Sequence, residues 1–217
     1  MEVLRMFLVL AHLAALMAAA VAVAFGDYAL LGRRRIDAPL LHRASVGVAW
    51  ALVALWLSGL AIIGVDTGFE LMAVAGKPKV LAKLTVVLLL TANGVYLHRT
   101  VLPSLMAPPT SRPSRLARVA AQAARAGAVS AAAWTFAVFL GVARPLTPIQ
   151  GYTGFMALFG LVLLAALLLA WRWMTPKLAH RLRDVDLAAP SRPRTAEAEG
   201  KPGADGALLG RPTSAAA

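Results

Sequence analysis

The sequence has no cysteine and few charged residues for its size. Without thiols the chain cannot form disulfides, thiolate zinc sites or iron–sulfur clusters, and it cannot attach a c-type haem covalently. Of its 217 residues 15% are charged and 59% are hydrophobic, a balance that is too apolar for an ordinary soluble domain. These shortages predict a protein that lies in lipid and binds any metal or cofactor through histidine, carboxylate or methionine.

Long apolar runs are abundant instead. A helix needs roughly 20 residues to cross a hydrocarbon core of about 30 Å, and continuous rather than alternating runs favour helices over barrel strands. The predicted spans are Val3–Leu30, Ala44–Val65, Val80–Pro103, Gly127–Ala143 and Gly151–Trp171. The predicted fold class is therefore all-α, a polytopic transmembrane bundle of five spanning helices.

The ends of the chain and its proline-rich loop suggest how the bundle is organised. The first run could be a cleaved signal peptide, but the arginines at 33–35 follow it as a stop-transfer cluster would, which favours a retained helix. Four prolines between residues 103 and 113 predict a separation of three N-terminal helices from a C-terminal pair. Residues 184–217 have few bulky apolar side chains and cannot bury a core. We therefore expect a five-helix domain over 1–183 and a disordered cytoplasmic tail over 184–217.

The formal net charge of +12 has two interpretations. It could indicate a nucleic-acid partner, but the basic residues lie in loops and tail rather than with aromatics on a soluble face. Because the first and third loops and the C-terminus are basic, the positive-inside rule places the N-terminus outside and the C-terminus in the cytoplasm. We expect a multi-pass protein of the cell inner membrane whose partner is the lipid bilayer, with no nucleic acid bound.

Few polar residues interrupt the predicted spans. His12 lies roughly 13 Å along its helix from Val3, near the middle of the bilayer. A buried ionisable residue there either bonds a carbonyl or hydroxyl of a neighbouring helix, ligates haem or a metal, or belongs to a proton path. Lys83 is one turn inside the third span, where its stem can reach the interface or its charge can hold an anion or pair with Asp66. Asn93 is deeper and should bond between helices.

A metal site near the cytoplasmic boundary is a further expectation. His98 lies roughly 22 Å beyond Lys83 on the third helix, and the depth difference from His12 is roughly 13 Å, too far for one metal ion. His42, His98 and Asp27 share that boundary and form a candidate metal site. Histidines beside arginine are, however, more often ordinary interfacial residues.

Two segments resemble a known group of proteins. FLVLAHLAAL, with His12, and KVLAKLTVVLLLTANGVYLHRTVLP, with Lys83 and His98, are similar to small bacterial membrane proteins that include copper-resistance-D-like proteins and the membrane protoporphyrinogen oxidase. The resemblance covers the first three helices. It implies that His12 ligates haem b and that Lys83 is the lysine which precedes a second histidine; His98 stands one turn later than that histidine.

The functional expectation is an integral membrane protein that binds haem b through His12 with the help of Lys83. A first alternative is a small transport or metal-handling protein with a polar path along His12, Asn93, Lys83 and Asp27. A second is a non-catalytic scaffold whose polar residues join helices. Phosphate-binding glycine loops and the common hydrolase motifs are absent from the sequence, and we predict no catalytic residues.

Overall fold

The computed structural model of the protein describes residues 2–32, 37–106, 113–143 and 147–187. In these ranges all regular secondary structure is helical. Five helices are long and apolar enough to cross a membrane, which confirms the predicted fold class. The arginines at 33–35 and most of the predicted tail, residues 188–217, lie outside the described ranges.

Eight α-helices and three π-helical segments make up the described chain. In order they are α1 (Glu2–Asp27), π1 (Tyr28–Gly32), α2 (Ala38–Thr67), α3 (Leu71–Ala75), α4 (Pro78–Tyr96), π2 (Leu97–Val101), α5 (Leu102–Met106), α6 (Pro113–Val142), α7 (Thr147–Leu169), π3 (Ala170–Met174) and α8 (Thr175–Leu187). The short α3 lies in the second loop, where no helix was expected. Since α8 continues to Leu187, the first residues of the predicted tail are helical.

Helices α1 and α2 form a closely packed hairpin. Ala15 and Ala19 of α1 are buried with Ala51 and Leu55 of α2, and small residues at this spacing let two backbones approach in lipid.

Helices α4, α6 and α7 form the second packing unit. Its core combines small residues with aromatic rings, and its buried members are Ala82, Val86, Leu90, Ala133, Phe136, Leu140, Ala143, Phe155 and Phe159. Phe136 and Phe159 stack with ring centroids 5.2 Å apart in a tilted arrangement. The bundle therefore divides into two plus three helices rather than three plus two, because α4 packs against α6 and α7 while α2 packs against α1.

At one end the bundle extends beyond the length that a bilayer requires. Helix α6 has 30 residues, about 45 Å at 1.5 Å per residue, against a hydrocarbon core of about 30 Å. Its first turns pack with α8 and the end of the third span in a separate core cluster that includes Val101, Val119, Ala120, Ala123, Ala126, Leu178, Ala179 and Leu182. This protruding end of the bundle has its own hydrophobic core.

The three π-helical segments lie at the ends of the first, third and fifth spans. Proline follows two of them after one intervening residue, at Pro103 and Pro176. Proline has no N–H, so the α-helical hydrogen-bond ladder is interrupted and can shift by one residue. At π3 the carbonyl of Ala170 accepts from both the backbone N–H and the hydroxyl of Thr175, the latter at 3.0 Å.

Candidate intramembrane histidine site

His12 is joined to the second helix by a short hydrogen bond. Its Nδ1 lies 2.8 Å from Oγ of Ser58. Ser58 is buried, and its Oγ also lies 2.7 Å from the carbonyl oxygen of Ala54 one turn earlier. The site is thus part of the α1–α2 hairpin, which positions both side chains.

The neighbours of the hydroxyl favour one tautomer of the imidazole. A carbonyl oxygen can only accept, so the single O–H of Ser58 satisfies Ala54 when it points along its own helix. The Ser58 oxygen then accepts from Nδ1–H of His12. In that tautomer Nε2 holds the lone pair of the ring and takes no part in the contact with Ser58.

A glycine makes room for the ring. A Cβ atom placed on Gly59 would lie 3.5 Å from Cε1 and 3.9 Å from Nδ1 of His12. The Nδ1–Cε1 edge of the imidazole therefore packs directly on the backbone of α2. A longer side chain at Gly59 would occupy the space of the ring.

Lys83 lies on α4, nearer than His12 to the end of the bundle where α2 ends and α4 begins. Trp56 Nε1 donates to Thr91 Oγ1 at 3.0 Å and aligns α2 with α4. Ser58 lies about 3 Å along α2 from Trp56, and Lys83 lies about 12 Å along α4 from Thr91, both toward the same end of the bundle. The two side chains therefore differ in depth by about 9 Å. The Lys83 side chain is exposed.

The two other histidines of the spans lie at the opposite end. His98 Nε2 is 3.2 Å from the backbone oxygen of Ser45. Because Ser45 and Ser58 are thirteen residues apart on α2, His98 and His12 are separated by about 20 Å in depth, more than expected from the sequence. Within the described ranges no three His, Asp or Glu side chains gather around one point that could hold a metal ion. The metal site expected from His42, His98 and Asp27 has no support there.

Asn93 bonds between helices, as expected. Its Nδ2 donates to the carbonyl of Ala126 at 2.9 Å and to Oγ of Ser130 at 2.8 Å. Both partners belong to α6, whereas the partner of His12 belongs to α2. The two polar residues therefore lie in different helix interfaces, and the arrangement does not favour a continuous polar path through them.

An ion pair that sequence reasoning missed joins the start of α1 to the end of α2. Nε of Arg5 lies 2.9 Å from Oδ1 of Asp66, and Nζ of Lys77 donates to the Asp66 carbonyl at 3.2 Å. Arg5 is thus an ionic partner of Asp66, a role for which the sequence had suggested Lys83. Opposite charges at the same end of consecutive antiparallel spans were the sequence feature that could have predicted it.

Comparisons with protein-family models, curated proteins and solved structures find no match to this chain. The fold and composition decide the class. The chain is a multi-pass helical membrane protein.

Proposed function

We propose that this protein binds haem b in its membrane domain, with Nε2 of His12 as the axial ligand. The observation that carries the proposal is the short contact between His12 Nδ1 and Ser58. A histidine that ligates a metal usually donates its other ring N–H to a nearby acceptor, which fixes both the tautomer and the ring orientation. Ser58 has that role here.

The donor set fits a haem with one protein ligand. His98 is about 20 Å away in depth and bonds Ser45, so it does not supply a second ligand. The positive charge of Lys83 suits a haem propionate. When bound, haem b would supply one-electron redox chemistry. The chain's own part is to orient the imidazole and to exclude water from the lipid-embedded ring.

The absorption spectrum of the detergent-purified full chain tests this proposal. With an adequate haem supply during expression, we expect a Soret band of a b-type haem in the wild type and its loss in His12→Ala. Lys83→Ala should weaken haem retention, while His42→Ala and His98→Ala should leave the spectrum unchanged. A colourless wild-type protein, or a Soret band that survives His12→Ala, contradicts the assignment.

A scaffold role is the alternative that a specific observation favours. The bonds of His12 and Asn93 each join two helices, and such bonds stabilise bundles without any ligand. If the wild type binds no haem and His12→Ala lowers thermal stability as much as Asn93→Ala does, the polar residues act only as links between helices.

A further inference from the structure

A shallow recess lies on the fifth span where it leaves the apolar region. Arg172, Trp173, Pro176 and Lys177 line it, on successive turns of π3 and α8. The side chains of Arg172 and Lys177 make no ion pair or hydrogen bond with any residue that the structure describes. The recess thus presents two cations that the protein itself does not neutralise.

The tryptophans beside the recess indicate the level of the lipid headgroups. Trp171 and Trp173 are 70% and 62% exposed, and exposed tryptophans next to an apolar span are typical of the membrane interface. The guanidinium, ammonium and indole N–H groups at this level are all donors. A phosphodiester, which only accepts, matches this set of groups.

An apolar stripe continues from the recess into the membrane. Leu161, Leu164 and Leu168 of α7 are all more than half exposed, and their spacing puts them on one side of the helix above Arg172. An acyl chain can lie along this stripe while its headgroup reaches the recess. Free phosphate would gain nothing from the stripe or from the indole and proline walls.

We propose that the recess binds an anionic phospholipid of the adjoining leaflet. The phosphodiester oxygens accept from Arg172 and Lys177, the glycerol region packs on Trp173 and Pro176, and the acyl chains follow the leucine stripe. A zwitterionic lipid with a cationic headgroup is disfavoured because its ammonium group approaches the same two cations.

Lipid titration of the full chain in neutral detergent tests the site. Binding to the folded state raises the thermal midpoint as lipid concentration increases, so the midpoint reports apparent affinity for phosphatidylglycerol, phosphatidylcholine and water-soluble glycerophosphate. Each basic residue near an anionic lipid surface contributes roughly a fivefold gain in binding. We expect phosphatidylglycerol to bind at least about fivefold more tightly than phosphatidylcholine, and Arg172→Gln/Lys177→Gln to remove most of that preference.

The matched control is Arg115→Gln/Arg118→Gln, which removes the same charge from exposed residues of α6 at the same end of the bundle. It should keep the preference. An equal loss in the control means diffuse surface charge and overturns the site, as does an unchanged preference in the recess variant. Equal stabilisation by glycerophosphate overturns the lipid assignment in favour of a free anion. Quenching of Trp173 fluorescence by brominated phosphatidylglycerol in vesicles, with Trp173→Phe as reference, gives a second readout independent of unfolding, and its absence also contradicts the proposal.

Discussion

Ser58 links the polar chemistry of α1 to the backbone of α2. Its hydroxyl lies within hydrogen-bonding distance of both the Ala54 carbonyl and His12. The sequence predicted a buried histidine that needs a partner, because an unpaired polar group is costly in lipid. It could not identify that partner, since hydropathy does not fix the rotation of one helix against the next. Ser58 lies between apolar residues that gave no indication of its role.

Ser58→Ala should uncouple the imidazole from α2. Interhelical hydrogen bonds in membranes average about 0.6 kcal/mol and reach about 1.7 kcal/mol, so we expect a coupling in that range from a double-mutant cycle of His12→Ala and Ser58→Ala. If haem is bound, its affinity should also fall by roughly 10- to 100-fold. Ser45→Ala is the control, because the Ser45 hydroxyl bonds the His42 carbonyl of its own helix. A cycle with no coupling would mean that the contact does not hold the ring.

At the scale of helices, hydropathy located every span but not the full length of the elements. The apolar window of the fourth span was predicted from Gly127, yet α6 begins at Pro113. The extra turns are amphipathic and are stabilised by packing against α8, a tertiary effect that a hydropathy pattern does not register. The π-helical segments were missed for a related reason, since a proline indicates an interrupted ladder without showing how it is repaired.

The α1–α2 hairpin should be the element most sensitive to enlarged glycines. A Cβ at Gly47 would lie 3.3 Å from Cβ of Ala22, so Gly47→Leu forces the helices apart, and Gly59→Leu displaces the His12 ring. Overpacking of this kind costs about 1–3 kcal/mol. Gly160→Leu on α7 is the matched control, because no atom lies within 4 Å of its added Cβ. Thermal unfolding in detergent should rank the two hairpin variants below the control; equal midpoints would contradict the close packing.

At the scale of the whole molecule, a few side chains join the hairpin to the three-helix unit. Trp56 bonds Thr91 across the boundary, Trp134 packs on the hairpin core, and Arg181 Nη1 donates to the Leu30 carbonyl at 3.2 Å. The proline-rich loop suggested a division after the third helix, but chain connectivity does not determine which apolar faces fit together. The boundary instead follows the packing of α4 on α6.

The distribution of charge over the two ends of the bundle predicts how the molecule sits in its membrane. The protruding end has exposed arginines on α6, at 115, 118 and 125, whereas at the other end Asp66 and Glu70 balance the nearby lysines. Since basic ends stay in the cytoplasm, reporter fusions after Gly68 should be active as external reporters and fusions after Ser111 as cytoplasmic ones. Replacing the three arginines with glutamine should weaken this bias without altering the helices. An external reporter signal after Ser111 would require the reverse orientation or a different number of spans.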